Sequence, residues 1–167
     1  GRPASPEYRS PLYITVSPDQ KSVWVVNYTA QRVSEIDIET REILREIPVS
    51  ERPSQAKFSP DGRFLYVSCT WAGTIDVVDV TEGRVVRSLK AGLEPCGLAV
   101  SRDGKRLYVA NVVSCSVSIL DIESGKTLCE TEVGNQPRFV ALTPDQTRLL
   151  VSNGLDPWVT VLDADEG

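Results

Sequence analysis

Aspartates at a fixed spacing are the residues of this chain whose type and arrangement could most readily do chemistry. One set recurs every 42 residues, and in a folded repeat it would form a ring of carboxylates able to bind a metal ion: Asp37, Asp79, Asp121 and Asp163. Each member stands just before a predicted turn, where an Asp accepts backbone N–H hydrogen bonds and fixes the turn. A second set has the same spacing and the same kind of place: Asp19, Asp61, Asp103 and Asp145. We therefore interpret both sets as turn residues and predict no metal site.

The chain contains no histidine, and this excludes several kinds of site from being built by its own residues. A Ser-His-Asp or Cys-His catalytic arrangement cannot form. Covalent attachment of c-type haem lacks its Cys-x-x-Cys-His run, and a zinc site with His ligands is ruled out. We predict no catalytic residue and no cofactor in this chain.

The elements that position these aspartates follow from the same 42-residue period. Two further markers keep it: the tripeptides that begin at Ser17, Ser59, Ser101 and Thr143, and the prolines Pro11, Pro53, Pro95 and Pro137. A period of 40–45 residues made of short β-patterned segments is typical of propeller blades around an axis. No helical pattern of useful length occurs.

One repeat contains four predicted strands. In the second repeat they span residues 53–58, 63–68, 75–80 and 84–89, separated by turn sequences such as Ser59-Pro60-Asp61-Gly62. The sequence therefore predicts an all-β propeller of four-stranded antiparallel blades, with three complete blades and an incomplete fourth. The expected boundaries are a lead-in at residues 1–10 and repeats at about 11–52, 53–94, 95–136 and 137–167.

The loops between second and third strands are the least regular parts of the repeat, and all four must emerge on one rim. Loops on a rigid scaffold are frequent binding sites. Large amphipathic or charged side chains, of the types that dominate binding surfaces, are expected on this rim: Tyr28, Arg32, Trp71, Arg138 and Trp158. The alternative is that the tryptophans cover the blades as packing.

Three of the four cysteines also map towards this rim: Cys69, Cys96 and Cys115. In an exported protein, a disulfide between Cys96 and either Cys69 or Cys115 is a candidate. The alternative is that the cysteines are single residues that act as small apolar side chains.

A family resemblance becomes specific in the third repeat. The run Leu107-Tyr108-Val109-Ala110-Asn111, followed by Val117-Ser118-Ile119-Leu120-Asp121, resembles the repeat of YVTN-family β-propellers. The resemblance covers residues 11–167 and implies a surface-layer-like or cytochrome-associated propeller, usually seven-bladed. Relatives carry His after the repeat proline, facing the channel mouth, whereas this chain has Leu12, Ser54, Cys96 and Arg138 there.

Net charge and hydropathy limit the partners of this chain. The net charge is −5 with scattered Lys and Arg, so we predict no nucleic-acid partner. No apolar run is long enough to span a membrane.

The last residues align with the turn before an outer strand, which favours a piece of a larger ring. The remaining blades are expected in the same protein or in a second chain.

Two functions remain open at this point. The first is a non-catalytic binding or scaffold module of a periplasmic, extracellular or cell-envelope protein, which presents its rim to a protein or a small ligand. The second is part of a redox or hydrolytic propeller enzyme, cytochrome-associated or lactonase-like, whose active site needs further blades or domains.

Overall fold

The computed structural model describes residues 9–165, which form β-strands joined by short turns. The strands are β1 (Pro11–Val16), β2 (Ser22–Asn27), β3 (Arg32–Asp37), β4 (Ile43–Pro48), β5 (Pro53–Phe58), β6 (Phe64–Cys69), β7 (Thr74–Asp79), β8 (Arg84–Lys90), β9 (Pro95–Val100), β10 (Arg106–Asn111), β11 (Ser116–Asp121), β12 (Thr127–Glu132), β13 (Pro137–Leu142), β14 (Arg148–Asn153) and β15 (Val159–Asp163). The expected lead-in at residues 1–10 lies outside the described residues, apart from residues 9 and 10.

Consecutive strands pair into four antiparallel sheets, which are the blades. Blade 1 comprises β1–β4, blade 2 β5–β8 and blade 3 β9–β12, whereas blade 4 has the three described strands β13–β15. The predicted all-β propeller with an incomplete fourth blade is confirmed. No helix that could cross a membrane occurs between residues 9 and 165.

The third strand of blade 2 differs from the prediction by one residue. It runs from Thr74 to Asp79 rather than over 75–80, because Asp79 already begins the turn. Its carboxylate Oδ1 accepts hydrogen bonds from the backbone N–H groups of Thr81 and Glu82, both at 2.9 Å. Its carbonyl accepts the N–H of Gly83 at 2.8 Å. The predicted role of these aspartates as turn residues is confirmed here.

The core lies between blades rather than in one central cluster. The first strand of each blade contacts the first strand of the next, so β1, β5, β9 and β13 surround the axis. Between blades 1 and 2, the fully buried Trp24 meets Phe58 edge to face, with ring centroids 5.9 Å apart. Burying a large apolar side chain contributes about 1.5–3 kcal/mol, so each blade is stabilised mainly by its neighbours.

The two outermost blade faces remain exposed. Apolar side chains on these faces are more than half exposed in blade 1 (Leu12, Ile14 and Val16) and in blade 4 (Phe139, Val159 and Val161). By strand register, the blade 1 face corresponds to the face on which blade 2 receives blade 1. Both faces therefore have the composition of a blade interface.

Candidate binding rim

Strand pairing places two kinds of segment on the same edge of the propeller. Because Pro53 pairs with Cys69, the start of β5 lies beside the end of β6, and the same pairing recurs in every blade. We call this edge the loop rim. It comprises the loops 28–31, 70–73, 112–115 and 154–158 and the segments 10–12, 52–54, 94–96 and 136–138.

A left-handed residue precedes each repeat proline. The φ angles lie between 47° and 55° at Ser10, Arg52, Glu94 and Gln136, a region that non-glycine residues rarely adopt. The carbonyl of this residue accepts a loop N–H, as in the 2.9 Å bond from Thr70 to Arg52. Since the conformation recurs in every blade, it belongs to the scaffold, and the side chains there are free to vary.

A cavity of about 490 Å³ opens at the centre of the loop rim. Its walls come from all four blades, and the residue after each repeat proline contributes to it: Leu12, Ser54, Cys96 and Arg138. The other lining residues are Ser10, Pro11, Tyr28, Thr70, Trp71, Glu94 and Val112. The axial symmetry thus brings together side chains that lie far apart in sequence.

Arg52 does not line this cavity itself, but its guanidinium contacts two aromatic rings that do. Its guanidinium carbon lies 4.8 Å from the Tyr28 ring centroid and 4.7 Å from that of Trp71. Both distances are within the range of a cation–π interaction. The contact joins the loops of blades 1 and 2 through one positive charge and leaves Trp71 63% exposed.

Arg138 reaches the cavity from blade 4 because β9 and β13 approach closely. A Cβ atom at Gly97 would lie 2.6 Å from the Arg138 carbonyl oxygen and 2.9 Å from the Phe139 Cα. Only glycine fits there without a shift of the backbone. The Arg138 guanidinium donates a 3.2 Å hydrogen bond to the Gln136 side-chain oxygen.

The floor of the cavity is fixed by hydrogen bonds between blades 2 and 3. The Ser68 hydroxyl donates to the Cys96 carbonyl at 2.7 Å, and the Thr70 hydroxyl donates to the Pro95 carbonyl at 3.2 Å. The hydroxyls of Ser54 and Ser68 lie 2.9 Å apart. These bonds hold the start of β9 rigidly, so the cavity is preformed.

Cys96 is the one thiol in this cavity wall, and its surroundings make it a poor nucleophile. Burial raises the pKa of the Cys96 thiol, and this outweighs the opposite effects of Ser54 and Arg138. A protonated thiol is neither a strong nucleophile nor a metal ligand.

The structure brings together three of the five rim residues predicted from the sequence, since Tyr28, Trp71 and Arg138 line the cavity. Trp158 is exposed in the loop 154–158 but is not among the lining residues. Arg32 lies towards the outer strand, where its guanidinium is 3.4 Å from the Glu46 carboxylate. Sequence reasoning missed Arg52 and Glu94. Both could have been found from their place directly before a repeat proline, where the residue type differs in every repeat.

Three cysteines near the rim are free thiols in the structure: Cys69, Cys96 and Cys115. Cys69 is fully buried in the core between blades 1 and 2. The Cys115 thiol lies 3.8 Å from the Val112 carbonyl. A disulfide from Cys96 to Cys69 or Cys115 is thus not formed here and stays a prediction.

A larger cavity of about 570 Å³ opens on the opposite edge, between blades 3 and 4. Its arginines are already engaged: Arg102 donates to the Pro144 carbonyl at 2.7 Å, and Arg106 pairs with Asp165. The loop rim is the stronger candidate because, among residues 9–165, the Arg52 guanidinium makes no hydrogen bond or ion pair and that of Arg138 bonds only the Gln136 side chain.

Solved structures resemble the chain over almost its whole length. Kuenenia stuttgartiensis hydrazine synthase is 26% identical with a TM-score of 0.88, covering 99% of this chain and 49% of that chain. A putative 6-phosphogluconolactonase from Bacteroides uniformis is 20% identical with a TM-score of 0.81, covering 96% and 53%. A chain of the mitotic checkpoint complex is 22% identical with a TM-score of 0.81, covering 91% and 47%. The last two show the fold alone.

The chain spans about half the length of these solved chains. No curated protein matches it. The profile of the YNCE-like β-propellers matches residues 13–100, which is more than half of the 167 residues. The chain belongs to the YNCE-like β-propeller family.

Proposed function

We propose that the chain is a non-catalytic binding module whose loop rim takes a protein or a small ligand. One observation carries the proposal: a preformed cavity on the axis that gathers Tyr28, Trp71 and Arg138 from three different blades. Aromatic and arginine side chains dominate binding energies when they meet in a pocket. A scaffold of repeated strands that supports variable loop residues is suited to binding.

The proposed setting is an exported or cell-envelope protein, periplasmic or extracellular. The support is the resemblance of residues 107–121 to the repeats of surface-layer-like and cytochrome-associated propellers. Further partners are proposed at the two exposed blade faces, where additional blades of the same protein or of a second chain would fit. Their apolar composition and the doubled length of the matching solved chains support this.

A second candidate is a part of a redox or hydrolytic propeller enzyme. It is favoured by the similarity to hydrazine synthase at 26% identity over 99% of the chain. The putative 6-phosphogluconolactonase supplies the hydrolytic version of this alternative. In either version, a catalytic histidine would have to come from outside these residues, since they contain none.

The two tryptophans of the rim provide a matched test. The purified chain is titrated with benzoate, glucose and hexaglutamate, and binding is followed by calorimetry in the parent, Trp71→Ala and Trp158→Ala proteins. Both side chains are exposed, but only Trp71 lines the cavity. We expect at least one probe to bind, with an affinity about tenfold lower in Trp71→Ala and unchanged in Trp158→Ala.

Two outcomes contradict the binding proposal. One is that no probe binds the folded chain, and the other is that both tryptophan variants behave alike. Turnover of 6-phosphogluconolactone by the parent protein would favour the enzyme alternative directly.

A further inference from the structure

Most arginines in the described part of the chain are neutralised by carboxylates. Ion pairs within 4.0 Å involve Arg9, Arg32, Arg45, Arg63, Arg84, Arg106 and Arg148. Arg52 and Arg138 are the two at the loop rim that have no carboxylate partner among residues 9–165; Arg41, Arg87 and Arg102 also lack one but lie elsewhere. Glu94 is the one carboxylate in the cavity wall. Arg52 does not line the cavity itself, but the two rings it contacts do, so Arg52 and Arg138 place two positive charges near one carboxylate, although the whole chain carries a charge of −5.

The stacking of Arg52 decides what its guanidinium can still bind. Its guanidinium carbon lies 4.8 Å from the Tyr28 ring centroid and 4.7 Å from the Trp71 ring centroid. Within residues 9–165 the guanidinium N–H donors make no hydrogen bond. A guanidinium with free N–H donors matches the two oxygens of a carboxylate or phosphate. Because stacking already holds the side chain in place, little rotamer entropy is lost when the anion binds.

The rest of the cavity suits a small molecule with a flat group. Its volume of about 490 Å³ falls in the usual range for small-ligand sites. The exposed part of Trp71 offers a surface for a planar ring. The hydroxyls of Ser54 and Thr70 add polar groups close to the floor.

We infer that the loop-rim cavity selects a small anion in which a carboxylate or phosphate is attached to a planar group. Arg52 and Arg138 bind the anionic oxygens, and Trp71 contacts the planar part. This inference rests on the proposed binding function and names the class of its ligand.

The test uses three probes of similar size on the purified chain: benzoate, phenyl phosphate and the neutral benzyl alcohol. Calorimetric titration is expected to show binding of at least one anion, at least about tenfold tighter than that of benzyl alcohol. Binding is expected to weaken as salt rises, because exposed charges are screened. The two anions separate a carboxylate site from a phosphate site.

Arg52→Gln and Arg41→Gln are the matched variants. Both remove one positive charge at a left-handed residue, with φ of 55° and 63°, but Arg41 lies in the turn between β3 and β4 on the opposite edge. Repeat four already carries glutamine at the position of Arg52, namely Gln136. We expect at least about a tenfold loss of anion affinity in Arg52→Gln and less than about twofold in Arg41→Gln. Arg138→Gln provides an independent test if Arg52→Gln does not fold.

The outcomes separate this inference from the binding proposal. If benzyl alcohol binds as tightly as the anions, or Arg52→Gln and Arg138→Gln both bind the anions normally, the anion inference is wrong while the rim remains a binding site. If hexaglutamate binds and both small anions fail, the assignment to a small ligand is overturned. If neither anion binds although glucose does, the ligand class is wrong. If no probe binds, both proposals fall.

Discussion

Blades 2 and 3 have the same strand order and the same turn aspartates. They differ in the side chains that accept the backbone N–H of the linker before the blade. In blade 3, the Asn111 amide donates to the Ser118 hydroxyl at 2.8 Å, and Glu130 stands beside Ser118 on the outer strand. Blade 1 repeats this with Asn27, Ser34 and Glu46. The equivalent residues of blade 2 are Cys69, Asp76 and Ser88. Blade 2 therefore has its carboxylate on the third strand and its hydroxyl on the outer strand, which is the reverse of blade 3. A thiol takes the place of the amide.

The exchange moves a carboxylate from a partly exposed strand into the interior. Asp76 is 1% exposed and accepts three hydrogen bonds: from the Ser50 N–H at 2.7 Å, the Ser50 hydroxyl at 3.1 Å and the Ser88 hydroxyl at 2.7 Å. In blade 3 the bond to the equivalent N–H, that of Gly92, is accepted by the Asn111 amide oxygen at 3.2 Å. In each blade the linker N–H needs an acceptor, which is the Asp76 carboxylate in blade 2 and the Asn111 amide in blade 3.

The change expected to have the largest effect is Asp76→Ala. It leaves the half-buried Ser50 N–H and two hydroxyls without their acceptor, so the free energy of unfolding should fall by about 2–4 kcal/mol. Ser118→Ala at the equivalent place in blade 3 should cost only about 1 kcal/mol, because Asn111 keeps its bond to Ser116. Urea unfolding of both variants measures the difference. Equal losses would mean that Asp76 has no special role in joining blades 1 and 2.

A double-mutant cycle tests whether the exchanged residues act as a unit. Asp76→Ser alone removes the acceptor for Ser50, and Cys69→Asn alone crowds a fully buried site. Together they rebuild the amide–hydroxyl pair of blade 3. We therefore expect the double variant to be about 1–2 kcal/mol more stable than the sum of the two single changes. If the two single losses in the free energy of unfolding simply add in the double variant, the two side chains do not act as a unit.

The smallest effect is expected where the blades do not differ. Hydrogen bonds from Ser59 and Arg63 lower the pKa of Asp61 below its ordinary 3.8, and bonds from Ser101 and Lys105 do the same for Asp103. The unfolded chain thus takes up protons at a higher pH than the native one. The stabilisation is complete above the unfolded pKa and is lost as the pH falls through the folded pKa. The melting temperature should be level from about pH 7 to pH 5 and fall below about pH 4.

Asp61→Asn and Asp103→Asn should make this acid transition shallower to the same extent. The measurement is melting temperature as a function of pH for the parent and the two variants. A clearly larger effect in one blade would contradict the equivalence of their turns.

The repeated parts of the fold could be predicted from the sequence because every blade carries the same markers at the same spacing. The turn role of Asp79 followed from its place before Thr81-Glu82-Gly83, which is a local matter of a carboxylate and nearby N–H groups. Strand limits were off by one residue, since the pattern does not show where pairing yields to the turn. The irregular loops correctly indicated the rim but not which of its residues meet. Arg32 is drawn to Glu46 across the neighbouring strand, a contact that depends on register.

The sequence by itself determined the blade, its repeat and the edge on which variable loops must emerge, because these depend on interactions within a few tens of residues. The tertiary structure alone decided that the Arg52 guanidinium contacts the rings of both Tyr28 and Trp71. It also decided that Leu12, Ser54, Cys96 and Arg138 share one cavity, and that Asp76 bonds Ser50 across a blade interface. Each of these depends on how one blade is rotated against the next, and that rotation is set by the packing of side chains between the sheets.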